Sequence, residues 1–275
     1  MRAVVLDGEG QPRLAETPAP PEPSLRVLAC GLCGSDVEKI GRAPAGTVLG
    51  HEVVAEVAGR HVVLVHHLPC GACDRCRAGH ESTCERFAAA TIVPGGFAER
   101  VAATETIDLP AEIGDALGTY VEPLACVLRG AERVPRGSVL VVGQGFVGQL
   151  FAEVLRRRGD DVFTTDLRPE RSGRTPDSPV DSAVLCAPAA PLEAVSPGGT
   201  VLVFADAGAI ELEDAYRREL TLVGSRSSTP AAMAAAIELL PELDLPEATV
   251  LPLARFAEGL ELYRSGAALK VVFIP

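Results

Sequence analysis

The chain has 275 residues, of which 47% are hydrophobic, and a formal net charge of −12, so it is long enough for two domains with buried cores. A chain this acidic, whose one basic cluster is Arg156-Arg157-Arg158, argues against a nucleic-acid partner, which needs a positive face to meet phosphate. No window reaches the roughly eighteen consecutive apolar residues of a membrane span, and MRAVVLDGEG lacks a signal-like apolar run, which predicts a cytoplasmic protein without a membrane partner.

In chain order, Met1 to Leu6 reads as a short apolar strand, and the proline-rich residues 18–23 lead into a second, Leu25 to Ala29. Thr47 to Val57 alternates in hydropathy and His61 to His66 is a further strand candidate, so the first lobe is β-rich. Within it lies CGLCGSDVEKIGRAPAGTVLGHE, from Cys30 to Glu52. Cys33 and His51 are donors that suit zinc, and Glu52 offers an oxygen. Three protein ligands leave a fourth position open, which separates a catalytic zinc from a structural one. A Cys and a His eighteen positions apart also read as a buried thiol and a strand-end imidazole, but here glycines flank both donors and let backbone crowd round an ion.

Cys70-Gly-Ala-Cys73-Asp-Arg-Cys76, then seven residues to Cys84, is the most specific signal in the chain. Four thiolates this close wrap a tetrahedral zinc with no open position, as a structural site requires, and a reducing compartment keeps them from pairing as disulfides. The preceding His66 and His67 read as strand-end residues. Tyr120 to Arg129 predicts a helix with Pro123 near its first turn. Ser138 to Val142 is a β-branched run followed by Gly143-Gln144-Gly145-Phe146-Val147-Gly148 and a helical pattern from Gln149 to Arg158, so it reads as strand, tight turn and helix. Asp161 to Thr165 is the next strand. Asp166 follows Gly148 by eighteen residues, the place of a carboxylate that takes ribose hydroxyls, with the pyrophosphate on the glycine backbone at the helix N-terminus. An acid at 166 repels a ribose 2′-phosphate and favours NAD over NADP, a preference that Arg168 moderates.

Only fourteen residues, LRPERSGRTPDSPV, separate Asp166 from the next strand, Asp181 to Ala187. A crossover between parallel strands takes about a dozen residues or more and usually a helix, so the usual helix, third strand and second helix do not all fit, and one α/β unit is missing. A strand sheet in the order 3-2-1-4-5-6 would then leave Asp161–Thr165 on the edge with unpaired backbone. Thr200 to Ala205 and Leu220 to Ser225 are further strands, before a helix from Ala231 to Leu240.

Gly31-Leu32-Cys33-Gly34-Ser35-Asp36, Gly50-His51-Glu52, the four-cysteine run and the GxGxxG turn together resemble the zinc-containing medium-chain alcohol and polyol dehydrogenases, closest in pattern to the threonine and sorbitol branches. The resemblance implies an α/β protein with a β-rich GroES-like catalytic domain over 1–117, a truncated Rossmann NAD-binding domain with a parallel sheet over 118–253, and a return segment over 254–275. It implies Cys33 and His51 as catalytic zinc ligands, Ser35 on the substrate hydroxyl and Asp36 orienting His51. It implies a further ligand from the helix after Tyr120, either Glu122 as in polyol enzymes or Cys126 as in alcohol dehydrogenases. The polyol pattern favours Glu122, with Glu52. Glu38 stands where several relatives carry a proton-relay histidine. The expected activity is hydride transfer between a secondary alcohol, polyol or amino alcohol and NAD, with the ketone as reverse substrate, in a homodimer or homotetramer. The shortened nucleotide lobe keeps a second reading open, a family member that retains zinc and fold but serves as a binding or assembly protein, and NAD titration separates the two.

Overall fold

The computed structural model describes residues 1–86, 91–205 and 208–275. The chain forms two compact units, Met1–Pro123 with Ser228–Pro241 and Glu247–Pro275, and Leu124–Ser227 with Glu242–Pro246.

In the first unit β1 (Arg2–Leu6) pairs antiparallel with β2 (Pro12–Glu16). β3 (Leu25–Gly31) is followed by helix α1 (Gly34–Lys39), β4 (Glu52–Val57), β5 (Arg60–Leu64), α2 (Asp74–Arg77), β6 (Ile92–Val93), β7 (Arg100–Ala103), β8 (Thr106–Asp108) and α3 (Asp115–Gly118). β3 and β4 are nearly continuous apolar runs with their inner residues buried, which is why they occupy the middle of the sheet rather than an edge. α4 (Val121–Ala131) carries the chain out of this unit, and the unit boundary falls after Pro123.

In the second unit β9 (Ser138–Val142), α5 (Phe146–Arg158), β10 (Asp161–Thr165), β11 (Val180–Leu185), β12 (Val195–Val203), α6 (Leu212–Arg217) and β13 (Thr221–Gly224) follow in sequence. The strands lie in the order β10-β9-β11-β12-β13, all parallel. This is the expected doubly wound order without its third strand, and β10 is the edge. Leu140, Val142, Phe163, Ala183, Leu185 and Val201 build the core on one face. α5 begins at Phe146, three residues before the expected start, because Gly145 is already its N-cap and the glycine turn runs straight into the helix. The expectation of a bare edge is corrected. Residues after β10 fold back along it: Thr164 N–H donates to Arg174 O at 3.2 Å, and Gly173 N–H donates to Thr164 O at 3.2 Å. The Arg174 guanidinium lies 4.2 Å over the Phe163 ring and pairs with Asp161. α6 escapes a period-based reading because Leu212 and Tyr216 on it are exposed.

The chain then returns to the first unit with α7 (Pro230–Leu239), β14 (Thr249–Pro252), α8 (Phe256–Arg264) and β15 (Val271–Ile274). β15 pairs antiparallel with β3, giving the sheet path β14-β15-β3-β4-β5-β8. Phe97, on the N-terminal part of this unit, meets Phe256 at 5.0 Å and Phe273 at 5.6 Å, both edge to face, while Phe256 and Phe273 stack at 4.7 Å. Such ring pairs contribute about 0.5–1.5 kcal/mol each beyond their buried area and hold the last segment in this core.

Candidate active site

The site forms where three strand ends converge. β3 runs antiparallel to both β4 and β15, with Gly31 opposite Glu52 on one side and Val272 on the other. The residues just past β3 therefore lie beside those that open β4 and β15. That register brings Cys33 to His51 and Glu52 across the intervening loop. Gly50 makes the approach feasible: its φ is +98°, and a Cβ there would stand 2.8 Å from Cys30 Sγ and 2.9 Å from Phe97 N.

Asp36 ties the two loops together. At the third position of α1 its Oδ2 accepts the Cys33 N–H at 3.2 Å, a reciprocal cap for the helix start. Its Oδ1 accepts the Gly50 N–H at 3.2 Å and lies 3.3 Å from His51 Nδ1. With Nδ1 engaged, the other ring nitrogen is left to act as donor atom. Burial works against the Asp36 charge, but His51 and the two N–H donors outweigh it and hold the carboxyl below its ordinary range. Burial likewise opposes a charged His51, yet Asp36 and the Cys33 thiol raise its pKa well above the ordinary value. Burial raises the Glu52 pKa, with Lys270 and His51 opposing and the neighbouring Glu122 adding to the rise. This is a pocket whose field favours a cation.

Ligand atoms of Cys33, His51 and Glu52 all lie within 4.8 Å of one another. A thiol, an imidazole with its second nitrogen fixed and a carboxylate are a donor set that fits zinc with a position to spare. Ser35 Oγ is 3.5 Å from Cys33 Sγ. Glu122 is buried, and its Oε1 accepts the Ser228 hydroxyl at 3.1 Å. Cys126 is half-buried further along α4. Glu38 is exposed on α1. The His66 ring packs 4.7 Å from that of His51, and burial pulls its pKa down to about 2, so it stays neutral. The residue that sequence reasoning missed is Lys270, whose Nζ is paired with Glu52 with both side chains 1% exposed. A single lysine between apolar residues in AALKVVFI was the available signal.

Sγ atoms of Cys70, Cys73, Cys76 and Cys84 also close within 4.8 Å, with Cys70 to Cys76 at 4.0 Å and Cys73 to Cys84 at 3.9 Å. A tetrahedron with Zn–S of about 2.3 Å has an edge of about 3.8 Å, so four thiolates fit one ion. The loop is built for anionic sulfur. The backbone N–H of Ala72 brings the Cys70 thiol down to about 6 against the effect of burial, with the Cys73 N–H adding to it, whereas burial pushes the Cys76 thiol up to about 12. The backbone N–H groups of Cys76 and Glu85 likewise lower the Cys73 thiol, and a full set of four thiolates needs a cation among them.

At the glycine turn, Gly143 has φ +88° and a Cβ on Gly148 would stand 1.8 Å from Gly143 O, so neither position accepts a side chain. A Cβ on Gly145 would meet nothing within 4 Å, which leaves open space at the N-terminus of α5 for a phosphate. Phe146 is buried and Val147 half-buried behind the turn. Asp166 accepts the Gln144 N–H at 2.6 Å through Oδ2 and the Arg168 N–H at 2.8 Å through Oδ1, which fixes its carboxylate at the mouth of the turn.

The alcohol dehydrogenase GroES-like domain family matches residues 20–112. The chain is 30% identical to D-altritol 5-dehydrogenase of Agrobacterium fabrum over 85% of its own length and 87% of the relative's. It is 26% identical to sorbitol dehydrogenase of Halalkalibacterium halodurans, covering 100% of this chain and 99% of that one in an alignment of 341 positions. The excess of that alignment over this chain's length is the shortfall expected from a lost α/β unit and short loops. Among solved structures, alcohol dehydrogenase TADH from Thermus sp. ATN1 superposes with a TM-score of 0.84 at 25% identity, over 100% of both chains. The chain belongs to the zinc-containing medium-chain alcohol and polyol dehydrogenases, and it is an oxidoreductase of that class. Among the described residues no helix is long and apolar enough to cross a membrane.

Proposed function

We infer that this enzyme oxidises a small secondary alcohol, polyol or amino alcohol with NAD and reduces the corresponding ketone in reverse. The observation that carries the reading is the convergence of Cys33, His51 and Glu52 within 4.8 Å, with Asp36 holding the remote nitrogen of the imidazole. Zinc bound there would polarise the substrate hydroxyl and lower its pKa. Cys33, His51 and Glu52 hold the ion, and Glu122, buried beside Glu52, is the next carboxylate available to it. Ser35 accepts or donates the hydrogen bond that orients the substrate hydroxyl. Asp36 keeps His51 in the tautomer that binds metal. The Cys70, Cys73, Cys76 and Cys84 loop takes a second zinc with no open position, a structural role that suits a reducing, cytoplasmic compartment.

For the cofactor, the backbone of Gly143, Gly145, Phe146, Val147 and Gly148 receives the pyrophosphate at the start of α5. Asp166 receives the adenosine ribose hydroxyls, and its charge disfavours a 2′-phosphate. Arg168 stands next to it. Assembly as a homodimer or homotetramer completes the reading. The test is elemental analysis together with a panel of secondary alcohols and polyols, followed by NADH absorbance. About two zinc equivalents per chain and turnover on a member of the panel are expected, and Cys33→Ser should lose one equivalent and all turnover while keeping the fold. A zinc-loaded protein with no NAD-dependent turnover on any of these alcohols would overturn it.

A further inference from the structure

Lys270 and Glu52 form an ion pair with each side chain 1% exposed. Lys270 Nζ is also 3.5 Å from Leu32 O and 5.8 Å from the centre of the Tyr120 ring, so the pair is sealed from water. Gly31 makes room for it: a Cβ there would stand 2.2 Å from Glu52 Oε2 and 2.9 Å from Lys270 Nζ. Burying two charges in this way is weak evidence for stability, since well-packed apolar residues of the same volume often serve as well or better. Packing of the β15 strand alone does not call for a lysine.

The charge balance of the site does call for one. A divalent ion held by the Cys33 thiolate, neutral His51 and the Glu52 carboxylate, with the Glu122 carboxylate alongside and the Asp36 carboxylate behind His51, leaves a negative surplus, and Lys270 offsets one charge of it at Glu52. Resting on the metal reading above, we propose that Lys270 is a positioning residue for Glu52, sharing its charge and anchoring its carboxylate so that Glu52 is a weak, exchangeable ligand and leaves room for a substrate oxygen. A carboxylate that already accepts a hydrogen bond from an ammonium donates less to a metal, which is how groups behind the ligands tune a site.

The experiment compares wild type, Lys270→Met, Lys270→Gln, Glu52→Gln and the Glu52→Gln/Lys270→Met double variant. Zinc affinity is read by chelator competition for the equivalent that Cys33→Ser loses, and the coordination by the visible spectrum of the cobalt-substituted protein. Lys270→Met should bind that metal about tenfold tighter and alter the cobalt bands, and Lys270→Gln, which keeps a hydrogen-bond donor, should fall between. In the Glu52→Gln background the lysine substitution should change neither. An unchanged affinity and spectrum in Lys270→Met overturns the proposal, as does an equal change in both backgrounds, which would be a plain field effect. If the lysine variants fold only when Glu52→Gln is present, Lys270 merely neutralises a buried charge and the proposal also falls. Retention of both metal equivalents by Cys33→Ser would instead overturn the metal reading itself, a distinct result.

Discussion

Asp36 shows how one side chain can serve fold and chemistry together. Its two oxygens cap α1 at Cys33 and hold Gly50 and His51, so both zinc-type donors depend on the same carboxylate. Asp36→Asn keeps the shape but exchanges one acceptor for a donor, which faces an N–H or forces the wrong imidazole tautomer. It should cost about 1–2 kcal/mol of stability at neutral pH, the scale of a lost cap or a hydrogen bond to a charged group, and weaken metal binding by about tenfold or more. The pH dependence has a definite sign. Because His51, the Cys33 N–H and the Gly50 N–H hold Asp36 below its ordinary range despite burial, its contribution is present above the unfolded carboxylate value of about 3.9 and is lost as pH falls through the lower folded value. Urea unfolding of metal-free wild type and Asp36→Asn should therefore show a gap at pH 7 that narrows below about pH 4. A gap independent of pH would remove the charge from the account.

At the scale of elements, the four-cysteine loop is expected to depend for its order on the metal proposed for it. α2 has four residues and no buried ones, too little to hold a fold by helix propagation or apolar burial. Backbone N–H groups of Cys70, Ala72 and Cys73 point to sulfur instead, at 3.3 to 3.5 Å. Cys73→Ser leaves three thiolates around an ill-fitted ion and should cost on the order of 4 kcal/mol, which lowers Tm by about 10 °C in a chain of this size. Calorimetry with and without a chelator checks it, since the chelator should destabilise wild type and barely affect the variant. An equal response of both proteins would show that the loop folds without its ion.

On the scale of the whole molecule, the lost α/β unit raises the question of how the nucleotide lobe keeps a usable edge. Gly173 and Arg174 pair with Thr164, and the Arg174 guanidinium covers Phe163. A segment of a few residues has replaced a strand as the cover of β10. The glycine turn and Asp166 are intact, so the proposed pyrophosphate and ribose contacts would survive, while the proposed adenine site would have less wall around it than in a full-length lobe. Calorimetric titration should give an NAD dissociation constant above about 1 µM, with NADP weaker still. Submicromolar binding of NAD would sink the open-pocket argument, and a preference for NADP would overturn the role of Asp166.

What the sequence determined by itself was everything held in short spacing. Cysteines three residues apart, glycines beside donor residues and an acid eighteen residues past the GxGxxG turn are legible because a tetrahedral ion or a dinucleotide constrains neighbouring residues directly. The missing α/β unit was legible too, because fourteen residues set a limit on what a crossover can contain. Tertiary structure alone decided the pairing of Glu52 with Lys270, 218 positions away, the double use of Asp36, and the covering of β10 by the residues that follow it. Those contacts follow from which strands neighbour which. That choice depends on the summed burial of the β3, β4 and β15 surfaces and the Phe97, Phe256 and Phe273 cluster, a long-range balance that no local pattern encodes.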